Sequence, residues 1–354
     1  MTQRYEFCTV LDSGYLARGL VLYRSLVERS VAFRLRVLCM DEMTERLLER
    51  LALPGVDVLS LGELERRDLA LGAIRPARTI KEYCWALKPS LILDVLEREP
   101  ELEHLAYVDA DHLFWSDPAP VYVELAMGSA LIVPQRTESE LAGRYNAGFV
   151  LFRRTDESNA ILSWWRERCL EWSYAGVGGG NRRFGDQGYL AEWPTRFEGV
   201  RVLHHPGGGL APWNSNQHAL GTEDGVVTVD GLPLLFFHYQ SLRLYSGLRR
   251  LHRLGLLGET YRFQPRSVPL VWSINRWYRI SEQERSLVWE PYVRRVSEAI
   301  VDLQTLQPGF GAGLRQLTRR EIGDEVLRTV ALRPARQALR RAERVVRQTR
   351  PAGG

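Results

Sequence analysis

Between residues 5 and 61 short apolar runs alternate with amphipathic stretches, and this alternation narrows the choice of fold more than any other feature. YEFCTVL (5–11) reads as a strand and YLARGLVLYRSLVERS (15–30) as an amphipathic helix. FRLRVLCMD (33–41) is a second strand, MTERLLERLAL a short helix, and VDVLSL a third strand. Strand and helix in such alternation mark a mostly parallel central sheet with helices on its faces. The pattern continues through the helix KEYCWALKPSLILDVLERE (81–99), the strand LAYVDADHLFW, the strand candidates SALIVPQ and NAGFVLFRR, and the helix ESNAILSWWRERCLEWSYA. A glycine-rich loop, GVGGGNRRFGDQGYLAEW, leads to a helix carrying Asp186 and Gln187, and the core closes with VRVLHHPGGGLAPWN and the apolar strand LPLLFFHYQ. Beyond about residue 260 the pattern turns helical and basic, so the expected division is an α/β domain over 1–260 and a helical C-terminal extension over 261–354. No internal repeat is visible.

The 354 residues are ample for such a core. Apolar residues at 45% and charged residues at 25% are those of an ordinary globular protein. No apolar run approaches the roughly 18 to 20 residues of a membrane span, and the opening residues do not read as a signal peptide. The four cysteines, Cys8, Cys39, Cys84 and Cys169, form no CxxC pair, which indicates neither a zinc site nor a disulfide framework and suits a reducing cytoplasm. Of 47 basic residues only Lys81 and Lys88 are lysines, and both fall in one short segment.

The stretch HLAYVDADHLFWSDP (104–118) places Asp109 and Asp111 at the end of an apolar run. Ligands of open α/β sheets bind at the carboxyl ends of strands. Residues i and i+2 of a strand face one side, so the two carboxylates can approach one hard cation, Mg²⁺ or Mn²⁺, which prefers oxygen ligands. The competing reading is a strand-end turn with solvated acids in which Asp109 caps the next element. By the same periodicity His112 faces away from both aspartates and reads as structural.

AYVDADHLFWSDP resembles the DxD motif of nucleotide-sugar glycosyltransferases of the GT-A, Rossmann-like fold, and its surroundings resemble glycosyltransferase family 8. TVLDSGYLARGLVLYRSL resembles that family's first strand and loop, which implies that Asp12 and Tyr15 meet the nucleotide. YNAGFVLF resembles its Asn-Ala-Gly segment, placing Asn146, Ala147 and Gly148 beside the donor sugar. FGDQGYL resembles its Asp-Gln element, placing Asp186 and Gln187 at the reacting carbon, with Asn146, as the catalytic group. FFHYQ resembles the late strand whose histidine, here His238, completes a metal site with Asp109 and Asp111, Ala110 lying between them against the donor. The resemblance spans roughly residues 5–245.

Two departures stand out. The family's glycine and Lys-Pro-Trp after the metal histidine are missing from HYQSLRLYSGLRR, where Arg243, Arg249 or Arg250 offers a planar fork instead of a point charge. The family's donor-binding cation after an aromatic is also displaced, to Lys88. APWN resembles the family's Trp-Asn, so Trp213 and Asn214 offer an aromatic face and an amide, a common way to hold a sugar. His204 and His205 shape a loop, the glycine-rich segment at 176–188 is a lid or a simple connection, and Trp164, Trp165 and Trp172, at helical spacing, belong to the core.

The resemblance implies a metal-dependent glycosyltransferase of the hexosyltransferase type that uses Mn²⁺ or Mg²⁺ and a nucleotide-sugar, a UDP-sugar, with retention of configuration. A sugar-1-phosphate nucleotidyltransferase is the rival enzyme, and an anion- or membrane-surface binding protein the non-enzymatic one. The acceptor is a glycan, a lipid-linked sugar or a small molecule. The arginine-rich stretch 312–354 is either a helical pair on the catalytic domain or a peripheral contact with an anionic inner membrane surface. No nucleic-acid partner is expected, because no base-reading motif or interleaved aromatics accompany the arginines.

Overall fold

The computed structural model describes residues 4–29, 32–137, 143–175, 184–246, 261–263, 270–275, 277–318 and 320–323. Its organising element is a seven-stranded sheet built as the alternation of apolar runs requires. Strands β1 (Tyr5–Leu11), β2 (Phe33–Cys39), β3 (Val56–Ser60) and β4 (His104–Val108) lie parallel in the order β3-β2-β1-β4. Every residue of β1 is buried, as expected of a parallel strand covered on both faces. Strand β5 (His112–Phe114) leaves for a smaller sheet. Strands β6 (Ala130–Pro134), β7 (Tyr145–Arg153) and β8 (Val200–Val202) then complete the large sheet, in the order β4-β7-β6-β8. Only β7 runs against its neighbours, so the sheet is mostly parallel.

The crossovers are helices α1 (Leu16–Glu28), α2 (Glu42–Leu51), α3 (Leu61–Arg67), α4 (Leu69–Ile74), α5 (Ile80–Arg98), α6 (Ala119–Leu125), α7 (Asp156–Glu171) and the short α8 (Trp193–Arg196). Local signals set their starts. Thr79 and Glu82 form a reciprocal capping box at α5, Thr155 and Ser158 one at α7, and the Asp41 carboxylate accepts from the Thr44 amide at α2. Alternate residues of three strands, Cys8 and Val10, Leu105 and Tyr107, Val150 and Phe152, join Leu87, Leu91, Ile161 and Trp165 of α5 and α7 in one core.

A second sheet has the order β5-β13-β9, with β9 (Gly208–Leu210) and β13 (Phe236–His238). A third joins β10 (Leu220–Glu223), β11 (Val226–Val229) and β12 (Leu232–Pro233), so the expected single strand LPLLFFHYQ is two short ones. Helix α9 (Glu290–Leu306) lies along α1, where Arg24 pairs with Asp302 at 2.6 Å and Arg295 with Glu28 at 2.6 Å.

The chain divides into two compact units at places other than residue 260: Met1–Ser241 with Tyr278–Gly313, and Leu242–Trp277 with Leu314–Gly354. The expected cut misses this because α9, read as part of a C-terminal extension, packs on the first unit. Within the second unit β14 (Arg243–Tyr245), β15 (Tyr261–Phe263), β16 (Leu270–Ser273) and β17 (Leu314–Arg315) form a sheet in the order β15-β16-β14-β17. Among the described residues no helix is long and apolar enough to cross a membrane. The expected helices of the arginine-rich tail after residue 323 lie outside the described residues, as do Arg249, Arg250 and the glycines at 176–180.

Candidate active site

Three distant segments meet at the carboxyl edge of the large sheet. β1 delivers Asp12 there and β4 delivers Asp109. Because β7 is antiparallel to β4, its first residues reach the same edge, and the Asp109 amide donates to the Gly148 carbonyl at 2.8 Å. β13 runs antiparallel to β5 with His238 opposite His112, and the Tyr239 amide donates to the Asp111 carbonyl at 2.8 Å.

The strand expected through Asp109 and Asp111 is broken: β4 ends at Val108, β5 begins at His112, and residues 109–111 form a turn. The two carboxylates therefore converge through turn geometry and not through strand alternation. The same break overturns the placing of His112 on the opposite face. Its ring stacks on His238 with centroids 4.1 Å apart, and ligand-capable atoms of Asp111, His112 and His238 lie within 4.8 Å of one another.

His238 Nε2 sits 3.1 Å from Asp111 Oδ1 and 3.8 Å from Asp109 Oδ2. Two carboxylates and an imidazole nitrogen, gathered where water is largely excluded, are a donor set that fits a hard divalent cation. His238 Nδ1 is buried and has no hydrogen-bond partner among the described residues. Burial would raise the Asp111 carboxyl, but the charge and hydrogen bond of His238, with His112 and Arg18 behind it, hold it well below the usual carboxylate range. Burial and then the neighbouring His238 push the His112 imidazole well below its ordinary value. Ala110, between the acids, is buried.

Lys88, 3% exposed on α5, lies behind this group. Its ammonium is 3.1 Å from Asp109 Oδ1 and 3.0 Å from Asp186 Oδ2, and it donates to the Ala147 carbonyl at 3.3 Å. Tyr107 donates its hydroxyl proton to Asp109 Oδ1 at 2.9 Å. Burial alone would lower the Lys88 pKa, but Asp109 and then Asp186 outweigh it, so the ammonium is held charged. Asp186 is raised by burial, against the pull of Lys88. Lys81, the other lysine, is exposed and lies over the Trp85 ring at 4.9 Å.

The helix expected at Asp186 and Gln187 is a short 3-10 helix, Gln187–Glu192, with Asp186 at its cap. Gln187 Oε1 accepts from Asn146 Nδ2 at 3.0 Å and from the Ala147 amide at 3.2 Å, while Asn146 Oδ1 accepts from the Gly148 amide at 2.8 Å. The Asn-Ala-Gly and Asp-Gln segments are thus locked together. A Cβ on Gly148 would stand 2.7 Å from the His238 ring and 2.9 Å from Asp109 Oδ2, so only glycine lets that backbone reach the site. Trp165, buried in the core as expected, donates its indole proton to the Asp186 carbonyl at 3.0 Å.

On the other flank the Tyr15 amide donates to Asp12 Oδ1 at 3.1 Å and the Ser13 amide to Asp41 Oδ2 at 2.8 Å. Asp12 and Asp41 border a cleft of about 230 Å³, with Met40, Arg75, Arg78 and Tyr83 among its other walls. The Tyr15 hydroxyl is raised first by the nearby Asp111 charge and then by burial. Arg18, which sequence reasoning passed over, places its guanidinium 4.6 Å over the Tyr15 ring. Tyr107 was passed over too, and His112 was read as structural. Arg18 had a legible signal, since a basic residue three positions after Tyr15 shares its helical face.

The Trp213 and His238 rings meet nearly at right angles, 5.5 Å between centroids, and Trp213 donates to the Gln135 carbonyl at 3.1 Å. Asn214 corrects the expectation of an amide offered to a sugar. It is fully buried: its Nδ2 donates to Gln135 and Gly209 carbonyls at 3.0 and 3.1 Å, and its Oδ1 accepts from the Ala211 amide. Both N–H groups of its amide are used in holding its own loop to the segment that bears Gln135.

No protein-family model matches the chain. Among solved structures it is similar to a glycosyltransferase involved in glycosylation of the major capsid of PBCV-1, at 11% identity and TM-score 0.40 over 71% of this chain and 97% of that one. It is also similar to mouse xyloside xylosyltransferase 1, at 12% identity and TM-score 0.43 over 67% of this chain and 98% of that one. Overlap at this level leaves the chemistry to be argued from the site. In sequence the chain is 28% identical to the uncharacterized protein YfnD of Bacillus subtilis over 316 residues, 87% of this chain and 94% of YfnD. It is 33% identical to the uncharacterized protein YfnF of the same organism over 326 residues, 88% of this chain and 97% of YfnF, and it belongs to the family of that protein.

Proposed function

We propose that the chain transfers a hexosyl group from a nucleotide-sugar, a UDP-sugar, to an acceptor, with Mn²⁺ or Mg²⁺ held by Asp109, Asp111 and His238 and with retention at the anomeric carbon. The observation that carries this reading is the convergence of two carboxylates and an imidazole at the carboxyl edge of the sheet, beside a lysine already committed to Asp109 and Asp186. Lys88 answers Asp109 and Asp186 while Asp111 faces the His238 imidazole, and carboxylates gathered where water is scarce favour a further cation beside them. A divalent ion in that position supplies electrostatic relief for a departing diphosphate.

The chain's own residues divide the remaining work. Asp12 and Tyr15 border the nucleoside side of the site. Asn146, Ala147 and Gly148 present backbone to the donor sugar, held in place by Gln187. Asp186, fixed by Lys88, orients the sugar at its reacting carbon. Trp213 offers an aromatic ring beside His238. Acceptors of this reading are a glycan, a lipid-linked sugar or a small molecule. A cytoplasmic location, with contact between the basic tail and an anionic membrane surface, rests on composition alone.

Calorimetric titration of UDP with and without Mn²⁺ tests the reading. Wild-type protein is expected to bind UDP tightly only with the metal, and to release free UDP slowly from one member of a UDP-sugar panel. Metal-independent binding that His238→Ala leaves unchanged would remove the metal site, and no release from any donor would remove the enzyme.

A further inference from the structure

The segment Gln307–Gly313, QPGFGAG, follows α9. It is a built turn. Phe310 is 4% exposed, its amide donates to the Gln307 carbonyl at 3.0 Å, and its carbonyl accepts from Gln304 Nε2 at 2.9 Å. Arg50 donates to the Leu306 carbonyl at 2.9 Å where the turn begins. Gly309 and Gly313 both hold left-handed backbone, at φ of +81° and +80°.

The two glycines differ in what surrounds them. A Cβ on Gly309 would meet nothing within 4 Å. A Cβ on Gly313 would stand 2.3 Å from the carbonyl oxygen of Gly14 and 3.3 Å from its carbonyl carbon, closer than real Cβ atoms come. Backbone therefore rests on backbone, and Gly14 belongs to the loop that carries Asp12 and Tyr15. The opposite side of that loop is tied by the hydrogen bond from the Ser13 amide to Asp41.

We infer that the turn 307–313 is a wall of the candidate active site and that Gly313 is a positioning residue, clamping the Asp12–Tyr15 loop against Asp41 so that Tyr15 stands beside Asp111. The inference rests on the nucleotide-sugar reading for its catalytic consequence only. The clamp itself can be read without any ligand.

Gly313→Ala and Gly309→Ala form a matched pair, because both impose the same left-handed strain on an alanine and only the first pushes on Gly14. Relief of that clash requires a backbone shift of roughly 1 Å, and a misplacement of this size costs up to about 10²-fold in a binding or reacting geometry. Hydrogen exchange in the ligand-free protein is expected to show faster exchange of the Ser13 and Tyr15 amides in Gly313→Ala alone. With Mn²⁺ present, UDP affinity is expected to fall roughly ten- to hundredfold in that variant, while Gly309→Ala keeps the wild-type value. Equal exchange at Ser13 and Tyr15 in the two variants would overturn the clamp whatever nucleotide does. Altered exchange with UDP affinity intact would overturn the role as a wall of the site. Wild-type protein that takes no UDP overturns the functional reading instead, and the exchange data still decide the clamp.

Discussion

The same sheet carries two buried charge networks, and they are built to opposite ends. Toward the amino-terminal half of the strands Arg36, 1% exposed, donates to Glu6 Oε2 at 2.8 Å and to Glu99 Oε1 at 2.6 Å, with a second arm on Glu99 Oε2. Arg4 adds a bond to Glu6 at 2.5 Å, and Arg34 pairs with Asp57 and stands 3.7 Å from Glu99. Three guanidinium groups meet three carboxylates, and the planar fork of arginine matches the carboxylate oxygens in pairs. At the carboxyl edge Lys88 pairs with Asp109 and Asp186, while Asp111 faces His238, with His112 and Arg18 behind it. The first network is closed by guanidinium forks, whereas in the second ligand-capable atoms of Asp111, His112 and His238 gather within 4.8 Å of one another. A closed network is a structural device, whereas buried ligand-capable groups converging at a strand edge make a candidate binding site.

Mutations at the carboxyl edge bring the largest expected effect. Asp111→Asn and Asp109→Asn keep shape and lose charge, so turnover of the donor is expected to drop by about 10³-fold or more. The melting temperature without metal stays close to wild type, and the stabilisation on adding Mn²⁺, about 2.7 kcal/mol at a hundred times Kd, disappears together with the accompanying rise in melting temperature. UDP release and thermal scans check both, and variants with full turnover would erase the distinction between the networks.

Arg36→Met breaks the closed end. It leaves Glu6 and Glu99 largely buried with weaker partners, and the expected cost is about 3 kcal/mol of stability, read from urea unfolding. Donor KM should not move, since nothing in this network reaches the site. A change in KM without loss of stability would show that the two networks are not separate in role.

The smallest effect lies in pH dependence. Hydrogen bonding to Arg36 is the foremost cause that holds Glu99 below its ordinary value of 4.5. A carboxyl with a depressed folded-state pKa contributes stability above its unfolded pKa and loses it as pH falls through the folded one. The stability difference between wild type and Arg36→Met is therefore expected to be full near neutrality and to shrink below about pH 4.5. Unfolding curves between pH 3 and 7 would measure it, and a difference that grows on acidification would reverse the assignment.

Much of this was legible locally. The apolar run 5–11 is β1 to the residue, and the helix and strand expected near 81–99 and 146–154 differ from α5 and β7 by a residue at their ends. Asp109, Asp111, His238, Lys88, Asn146, Asp186 and Gln187 do come together. The errors share a cause. The strand drawn through Asp109 assumed that a period of two continues across polar residues, and it put His112 on the wrong side. Asn214 was judged by the chemistry of its amide, yet which groups satisfy a buried amide depends on loops such as the one bearing Gln135. The division at residue 260 followed composition, whereas α9 returns to α1 because its apolar face finds partners there.

What the chain's order of residues determined alone is the set of elements and their faces, because periodic burial and capping act over a few neighbouring residues. Tertiary structure decided which strand ends share an edge, that β7 runs backward to bring Gly148 under His238, that Asn214 turns inward, and that Gly313 rests on Gly14. Those outcomes depend on desolvation and close packing between segments far apart in the chain, and no local pattern of side chains encodes the distance between two backbones.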